Sequence, residues 1–524
     1  MKKHRYLLTL FITIFVIGVV WIVLVPIFHT PDEQSHFGQV AFMVEKRRAP
    51  NSLDTYDLTE EIYISEKLLD TDRDKLGNNK FTFHPQYRLE YSEGIIGKYE
   101  ANISDLAKTD AKNTFVHSES TRYPVLYYIP ATIIYKFFYN QDIFTRIFFI
   151  RIWSLLLFLG TVYSTYKLGE HIRPKEKLFS YILAILVGFQ PMMMFVNIGV
   201  SSDSLGNLLF TLFLLSGVRI ITQGVSPKNI AFLVMATILS IYTKPQFIIV
   251  LPIIFLLFLI SGFQQIKNKK YFILSAFGIL TFILFILYQL RGGPSSIIMV
   301  FQNKLNLTNL AKFTFTYTLS HTIKEVMPWY WGIYDWLGIT YSRSVHRIIN
   351  RIVLLSLIGC LLSIKSILSY NFWRKKENQA LLFLFTSAFL FFIAISFYDW
   401  LSWYSSGFQL GVQGRYFFPV ISIHMIILLL GWEKLLLLFI PRWRSFGLKI
   451  LGTSMILLNL IGVWTISKTY YDLSSLFKFI SQASQYKPWF TKGIFLTYLL
   501  VISVIVYIYF LFRLFKEKFM KEKR

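Results

Sequence analysis

The chain has 524 residues, 54% hydrophobic, 18% aromatic and only 16% charged, with a mean hydropathy of +0.49. That composition excludes a soluble globular or a disordered protein, and the apolar runs are long enough to cross about 30 Å of hydrocarbon. A formal charge of +25 would suggest a nucleic-acid partner in a soluble chain. Here the basic residues gather at the ends of apolar runs, where membrane topology places them, so no nucleic acid is expected.

Lipid offers no partner for backbone N–H and C=O groups, and the apolar runs lack the alternation of an outer-membrane barrel. The fold class is therefore all-α, a polytopic integral membrane protein. In chain order, the first run, 6–28, follows Lys2-Lys3-His4-Arg5. It is too long for a signal peptide and no small-residue cleavage site follows, so it reads as a retained span. A connection of about 115 residues, 29–145, comes next, with helices expected over 33–46 and 60–69 and a turn at Gly77-Asn78-Asn79. Its end, Tyr123 to Tyr139, is apolar enough to cross, but its tyrosines with Pro124 and Pro130 suit a helix lying on the membrane surface.

Further spans are expected at about 146–167, 178–197, 204–221, 229–243, 247–262, 271–290, 348–368, 379–397, 416–436, 448–466 and 494–514, twelve in all with the first. Both termini then lie in the cytoplasm, and the inner connections hold Arg173/Lys175/Lys177, Lys267/Lys269/Lys270, Arg374/Lys375/Lys376 and Arg442/Arg444/Lys449. The outer connections, 29–145, 291–347, 398–415 and 467–493, form the functional face. With no internal repeat and no Pro- or Ser-rich linker, residues 1–524 read as one membrane-embedded domain that includes the first loop. Cys360, the one cysteine, falls inside a span and reads as a small buried apolar residue.

Chemistry-bearing residues cluster at the outer ends of these spans. Asp32 and Glu33 follow Pro31 at the root of the large loop, where acids can cap a helix or, once desolvated by the loop, act as a general base. His36 lies one helical turn after Asp32 and could share a proton with it. Asn197 and Asp203 close the third span, with Gln190-Pro191 two turns earlier; Asp203 is either a helix cap or a second acid facing the same cavity. Lys244 and Arg415 fall on the outer side against the positive-inside trend. Either cation would suit an anion such as a phosphate, Arg415 bidentately, with Gly414 allowing close approach and Gln413 beside it. Trp329, Tyr330, Trp331, Tyr334, Trp336 and Tyr341 crowd one outer loop, and Trp400, Trp403 and Tyr404 another. An interfacial aromatic belt accounts for most of them, with sugar or lipid stacking as the alternative. There is no Walker-type phosphate loop, dinucleotide fingerprint, Gly-x-Ser-x-Gly elbow, His-Glu-x-x-His or Cys/His metal spacing.

Four stretches in order, Pro31-Asp32-Glu33-Gln34-Ser35-His36-Phe37, Arg122-Tyr123-Pro124-Val125-Leu126-Tyr127-Tyr128, Gln190-Pro191 with Asn197 and Ser202-Asp203, and Gln413-Gly414-Arg415-Tyr416-Phe417-Phe418-Pro419, carry a resemblance. The chain resembles the GT-C-type membrane glycosyltransferases that use polyprenyl-phosphate sugars, most closely a broad bacterial branch. The second stretch departs from that pattern, Tyr123 replacing the first of two prolines and Val125 interrupting. The resemblance implies a catalytic base at Asp32 with Glu33 beside it, and a substrate cavity bordered by Tyr127, Tyr128, Asn197, Asp203 and Gln413. It also implies donor-phosphate contacts from Arg415 and Lys244. The partners implied are a polyprenyl-phosphate-sugar donor, a glycan or cell-wall polymer acceptor and membrane lipid, at a bacterial plasma membrane. No cofactor is required by this chemistry; a divalent metal, if one is used, would take Glu33 or Asp203 as ligands. Two other readings share the compartment: a multi-pass transporter or flippase for a lipid-linked glycan, and a polysaccharide polymerase or ligase.

Overall fold

The computed structural model describes residues 2–50, 56–72, 89–108, 112–117, 120, 123–262, 278, 280, 283, 307–335, 338–363 and 374–516. The protein is an all-α polytopic membrane protein. Helices of nine or more residues are numbered in chain order: α1 Lys2–Leu24, α2 Glu33–Glu45, α3 Glu60–Leu68, α4 Tyr128–Phe137, α5 Ile143–Ile172, α6 Lys177–Gly188, α7 Ser202–Gln223, α8 Pro227–Ile241, α9 Val250–Gly262, α10 Arg343–Leu361, α11 Lys376–Ser406, α12 Ile421–Phe439, α13 Arg444–Tyr470, α14 Leu476–Ser484 and α15 Ile494–Lys516.

Among the described residues eight helices are long and apolar enough to cross a membrane, and each coincides with an expected span. The run expected at 178–197 is not straight: α6 and the short helix Pro191–Asn197 meet at 60°. Gln190-Pro191 causes the break. Proline brings no N–H and is at home in a first helical turn, while the Gln190 side chain accepts from Met193 N and so starts a new helix. Two more expected spans correspond to shorter apolar helices, Pro227–Ile241 and Pro245–Ser261. Of the span at 271–290 only residues 278, 280 and 283 are described; the lysines at 267, 269 and 270 and the turn at 77–79 lie outside the described residues.

The helices alternate between two ends. At one end Arg444 pairs with Glu433 and Glu176, and Arg173 lies 3.4 Å from Glu176. At the other end sit the first loop and the connections around 190–203, 242–246, 333–341, 407–415 and 471–493. Packing between helices relies on small residues where backbones touch. A Cβ on Gly359 of α10 would lie 2.0 Å from the Gly431 carbonyl oxygen of α12, so these two helices cross backbone to backbone.

Within the first loop α2 and α3 fall where the sequence puts them. Strands β1 (Tyr56–Thr59) and β2 (Lys112–His117) were not expected; they pair antiparallel, Thr59 opposite Lys112. A second two-stranded pair joins β3 (Ile333–Tyr334) to β4 (Ile339–Thr340). The loop is packed onto the helices through its own apolar cluster, in which Phe28, Phe37, Tyr127 and Tyr135 meet Ile147 and Ile150 of α5. Helix α4 is short and separate from α5, as its prolines and tyrosines suggest.

Five of the crowded aromatics are a correction, while Tyr404 is exposed and Trp329 and Trp403 are half-buried. Tyr330, Trp331, Tyr334 and Tyr341 are buried, Tyr334 completely, and belong to the core. Tyr334 and Tyr341 share a hydroxyl–hydroxyl bond of 2.6 Å. Hydrogen-bonded partners inside the bundle satisfy the phenols, so these rings need no water interface. Trp400 is likewise fully buried; Trp336 lies outside the described residues.

Candidate functional site

Asp32 is placed by strain and by a neighbour. It precedes α2 with φ 57°, in the left-handed region that Asp and Asn tolerate better than other side chains. Glu33, next to it, is completely buried and turns the other way. Its Oε1 accepts from Arg151 Nε at 2.7 Å and Val200 N at 3.1 Å; its Oε2 accepts from Arg151 Nη2 at 2.6 Å and Phe28 N at 2.8 Å. Arg151, from the interior of α5, also donates to the carbonyls of Ile22, Val25 and Pro26 at 3.0, 2.7 and 2.8 Å. This latch ties the end of α1, the start of α2, α5 and the turn before α7 into one unit.

Beside the latch lies a chain of alternating charges. Arg415 Nη2 donates to Asp32 Oδ2 at 2.8 Å, and its Nε donates to Gln413 Oε1 at 2.6 Å. Its Nη1 lies 3.9 Å from Asp203 Oδ2, and the other Asp203 oxygen pairs with Lys244. Two acids and two cations thus balance, with side-chain exposures of only 6–16%. Burial, and next the charge of Arg415, push the Lys244 ammonium down to about 7, with Asp32 opposing. The Lys244 nitrogen stands 5.1 Å from the centre of the Tyr123 ring, and Tyr123 stacks on His36 at 5.7 Å. His36 Nδ1 is 2.6 Å from Tyr128 Oη, and its Nε2 is 3.4 Å from Ser201 Oγ. Gly414 is there because the chain passes close to Trp329-Tyr330: a Cβ would lie 2.2 Å from Tyr330 N. The sequence expectation had assigned that closeness to a ligand.

The model of the family described as "Predicted membrane protein (DUF2142)" matches residues 15–424, most of the chain and all four charged residues of the cluster. The chain belongs to the DUF2142 family.

None of the curated proteins matches at a significant level. Among solved structures the DUF2142 chain is similar to the oligosaccharyltransferase of Archaeoglobus fulgidus in complex with Zn and sulfate, with TM-score 0.41, 11% identity, and coverage of 87% of this chain and 53% of that one. The same archaeal enzyme tethered with an acceptor peptide containing the NVT sequon gives 0.40 and 12%, covering 93% and 56%. The archaeal oligosaccharyltransferase AglB of that organism, in complex with an inhibitory peptide and a dolichol-phosphate, gives 0.40 and 12%, covering 90% and 56%. The chain spans about half the length of those proteins. A likeness of that degree decides neither fold nor chemistry.

Of the residues the sequence singles out in this DUF2142 protein, Asp32, Asp203, Lys244, Arg415 and Gln413 meet in one cluster, and His36 with Tyr128 borders it through Tyr123. Three others have different work. Glu33 is a member of the latch, with both carboxylate oxygens engaged by the guanidinium and backbone N–H groups, so it is placed neither as a base nor as a metal ligand. Tyr127 is fully buried; its hydroxyl is 2.8 Å from Ser154 Oγ and accepts from Ser201 N at 3.1 Å, bracing α5 against the turn before α7. Asn197 is buried too, donating to the Met193 carbonyl at 2.7 Å and standing 3.4 Å from Asn207 Nδ2, so it braces Pro191–Asn197 against α7 instead of lining a cavity. Sequence reasoning missed Arg151, as well as Arg146, which pairs with buried Glu61. The signal was available: arginine inside an apolar helix is costly unless a partner awaits it.

Proposed function

We propose that this protein is a glycosyltransferase that moves a sugar from a polyprenyl-phosphate donor to a hydroxyl of a cell-surface or cell-wall glycan, at the outer face of a bacterial plasma membrane. The observation that supports it is the convergence of Asp32, Asp203, Lys244 and Arg415, from four separate stretches, at one end of a membrane helix bundle. An acid able to take a proton stands next to two cations able to take a phosphate, and the apolar helices supply a path for a lipid tail.

In this reading the acceptor oxygen attacks the sugar C1 from the face opposite the phosphate. The new C1–O bond forms as the C1–O(phosphate) bond breaks, its electron pair leaves on the phosphate, and the hydroxyl proton passes to Asp32; inversion at C1 follows. The paired arrangement suits an idle site. A carboxylate held by Arg415 is a weak base, and a donor phosphate arriving on Arg415 and Lys244 competes with the two acids for those cations. Donor binding would thereby release Asp32 as it delivers the leaving group. Asp203 would hold Lys244 in place between turnovers.

The test is sugar transfer in proteoliposomes, using radiolabelled polyprenyl-phosphate sugars and a cell-wall extract as acceptor, with the natural chain and with Asp32→Asn. Label moved only by the natural chain supports the reading. Equal transfer by both removes Asp32 from the chemistry. Donor that crosses the bilayer without losing its sugar would make the protein a lipid-linked-glycan transporter.

A further inference from the structure

We propose that the first loop is moored to the bilayer at a second place, far in sequence from α1. Its tip, Ile95-Ile96, inserts into the membrane interface, and the groove beneath it holds an acyl chain of a bilayer phospholipid. This inference needs only that the protein is a membrane protein and does not rest on the proposed reaction.

The loop segment before and after the tip is clamped onto the connection that leads into α15. Gln485 Nε2 donates to the carbonyls of Ser92 and Gly94 at 2.9 and 2.8 Å, and Ser92 N donates to Gln485 Oε1 at 3.0 Å. The N–H groups of Gly97 and Tyr486 both donate to Glu100 Oε2 at 2.9 Å, and Lys492 pairs with the other Glu100 oxygen. Gly97 has the Tyr486 ring against it, where a Cβ would lie 2.5 Å from the ring. So rigid a clamp could have turned the two isoleucines inward. Instead they point out, 43% and 63% exposed.

Together with Ala101, Trp489, Ile494 and Phe495 they line a groove of about 470 Å³. Its charged members, Lys492 and Glu100, neutralise each other, so the groove offers an anion nothing and an apolar chain a great deal. The occupant follows from continuity. Ile494 and Phe495 are the first residues of α15, a membrane-spanning helix most of whose surface is open, and from Gly493 to Phe512 that helix carries no charge. The groove therefore opens onto the face that lipid must cover, and Trp489 sits at that boundary, where amphipathic rings prefer to lie. A water-borne protein would have to displace lipid from α15 to fill it.

The test uses the full chain in nanodiscs of phosphatidylcholine and phosphatidylglycerol. Cys360 is the one native thiol, so Cys360→Ala gives a clean background for nitroxide labels at Ile96→Cys, Trp489→Cys and, as a water-facing control, Asp105→Cys. Collisions with oxygen and with a water-soluble nickel chelate are compared. Labels at 96 and 489 should favour oxygen over nickel several-fold more than the label at 105, and should broaden when spin-labelled phospholipid is added. Nickel access at 96 equal to that at 105 overturns the mooring. Because each label is read in monodisperse, folded protein, and position 489 reports on the same groove from the other wall, a variant that misfolds does not leave the proposal unexamined.

Discussion

Glu33→Gln separates a structural carboxylate from a chemical one. The substitution keeps size and shape, but the four hydrogen bonds that Glu33 accepts have two acceptor oxygens between them, and glutamine supplies one. Its amide N–H groups would face an N–H of the Arg151 guanidinium together with the backbone N–H of Phe28 or of Val200, donor against donor. Arg151, 2% exposed, would keep its charge with neutral acceptors in place of the carboxylate, the amide oxygen and the carbonyls of Ile22, Val25 and Pro26. Stranding one partner of a buried ion pair costs about 3–5 kcal/mol, and the mispaired backbone donors are part of the same loss. Arg151→Met should cost a similar amount, because it strands Glu33. The double variant should cost much less than the sum of the singles, since each removes the same interaction. Thermal unfolding in one detergent–lipid mixture, followed by the fraction that stays monodisperse after heating, measures all three. If Glu33→Gln unfolds at the temperature of the natural chain and loses only activity, the latch carries no stability and Glu33 belongs to the chemistry.

Further predictions concern the charge cluster. Asp32→Asn should lose stability only through the missing counter-charge of Arg415, which Asp203 at 3.9 Å partly replaces, because asparagine also accepts the left-handed backbone at φ 57°; Asp32→Ala should lose about 1–2 kcal/mol more in the same heating assay. Arg415→Lys should abolish transfer though it keeps the charge, because one ammonium cannot span Asp32, Gln413 and a phosphate as the planar fork does; normal turnover in the transfer assay would remove Arg415 from the site. Gly414→Ala should lower both stability and activity, since its Cβ would press on the Tyr330 backbone and shift Arg415 next door; unchanged heating curves would contradict the close packing. Lys244 is a cation below its value of about 7 and loses its proton above it, so transfer should fall by up to about tenfold per pH unit on the alkaline side, and Lys244→Arg should move that limb to higher pH.

The spans, the short helix α4, and helices α2 and α3 were legible because each depends on composition within one short stretch: apolar length, flanking charge, an acid at a helix start. The bend at Gln190-Pro191 is a local signal as well, a proline that can begin a helix but not continue one, though the unbroken hydropathy of 178–197 hides it. Strands β1 and β2 left little trace, one being four residues long and paired with a segment more than fifty residues on. The aromatic crowding misled for a related reason. A tyrosine in an outer connection reads as interfacial unless its hydroxyl partner is known, and the partner of Tyr334 is another tyrosine folded over it.

The sequence by itself determined that the chain is a polytopic membrane protein, which stretches are apolar enough to cross, and a short roster of charged residues at the ends of those stretches. Hydropathy and charge add up along the chain, so they can be summed without knowing the fold. Which members of the roster meet was decided only in three dimensions. Asp32 and Arg415 lie 383 positions apart and touch because helix rotation and crossing bring them together, set by contacts such as Gly359 on Gly431 and Gly414 on Tyr330. The same geometry turned Glu33, adjacent in sequence to Asp32, toward an arginine in another helix: two neighbouring carboxylates cannot both face one cavity when the backbone between them changes hand.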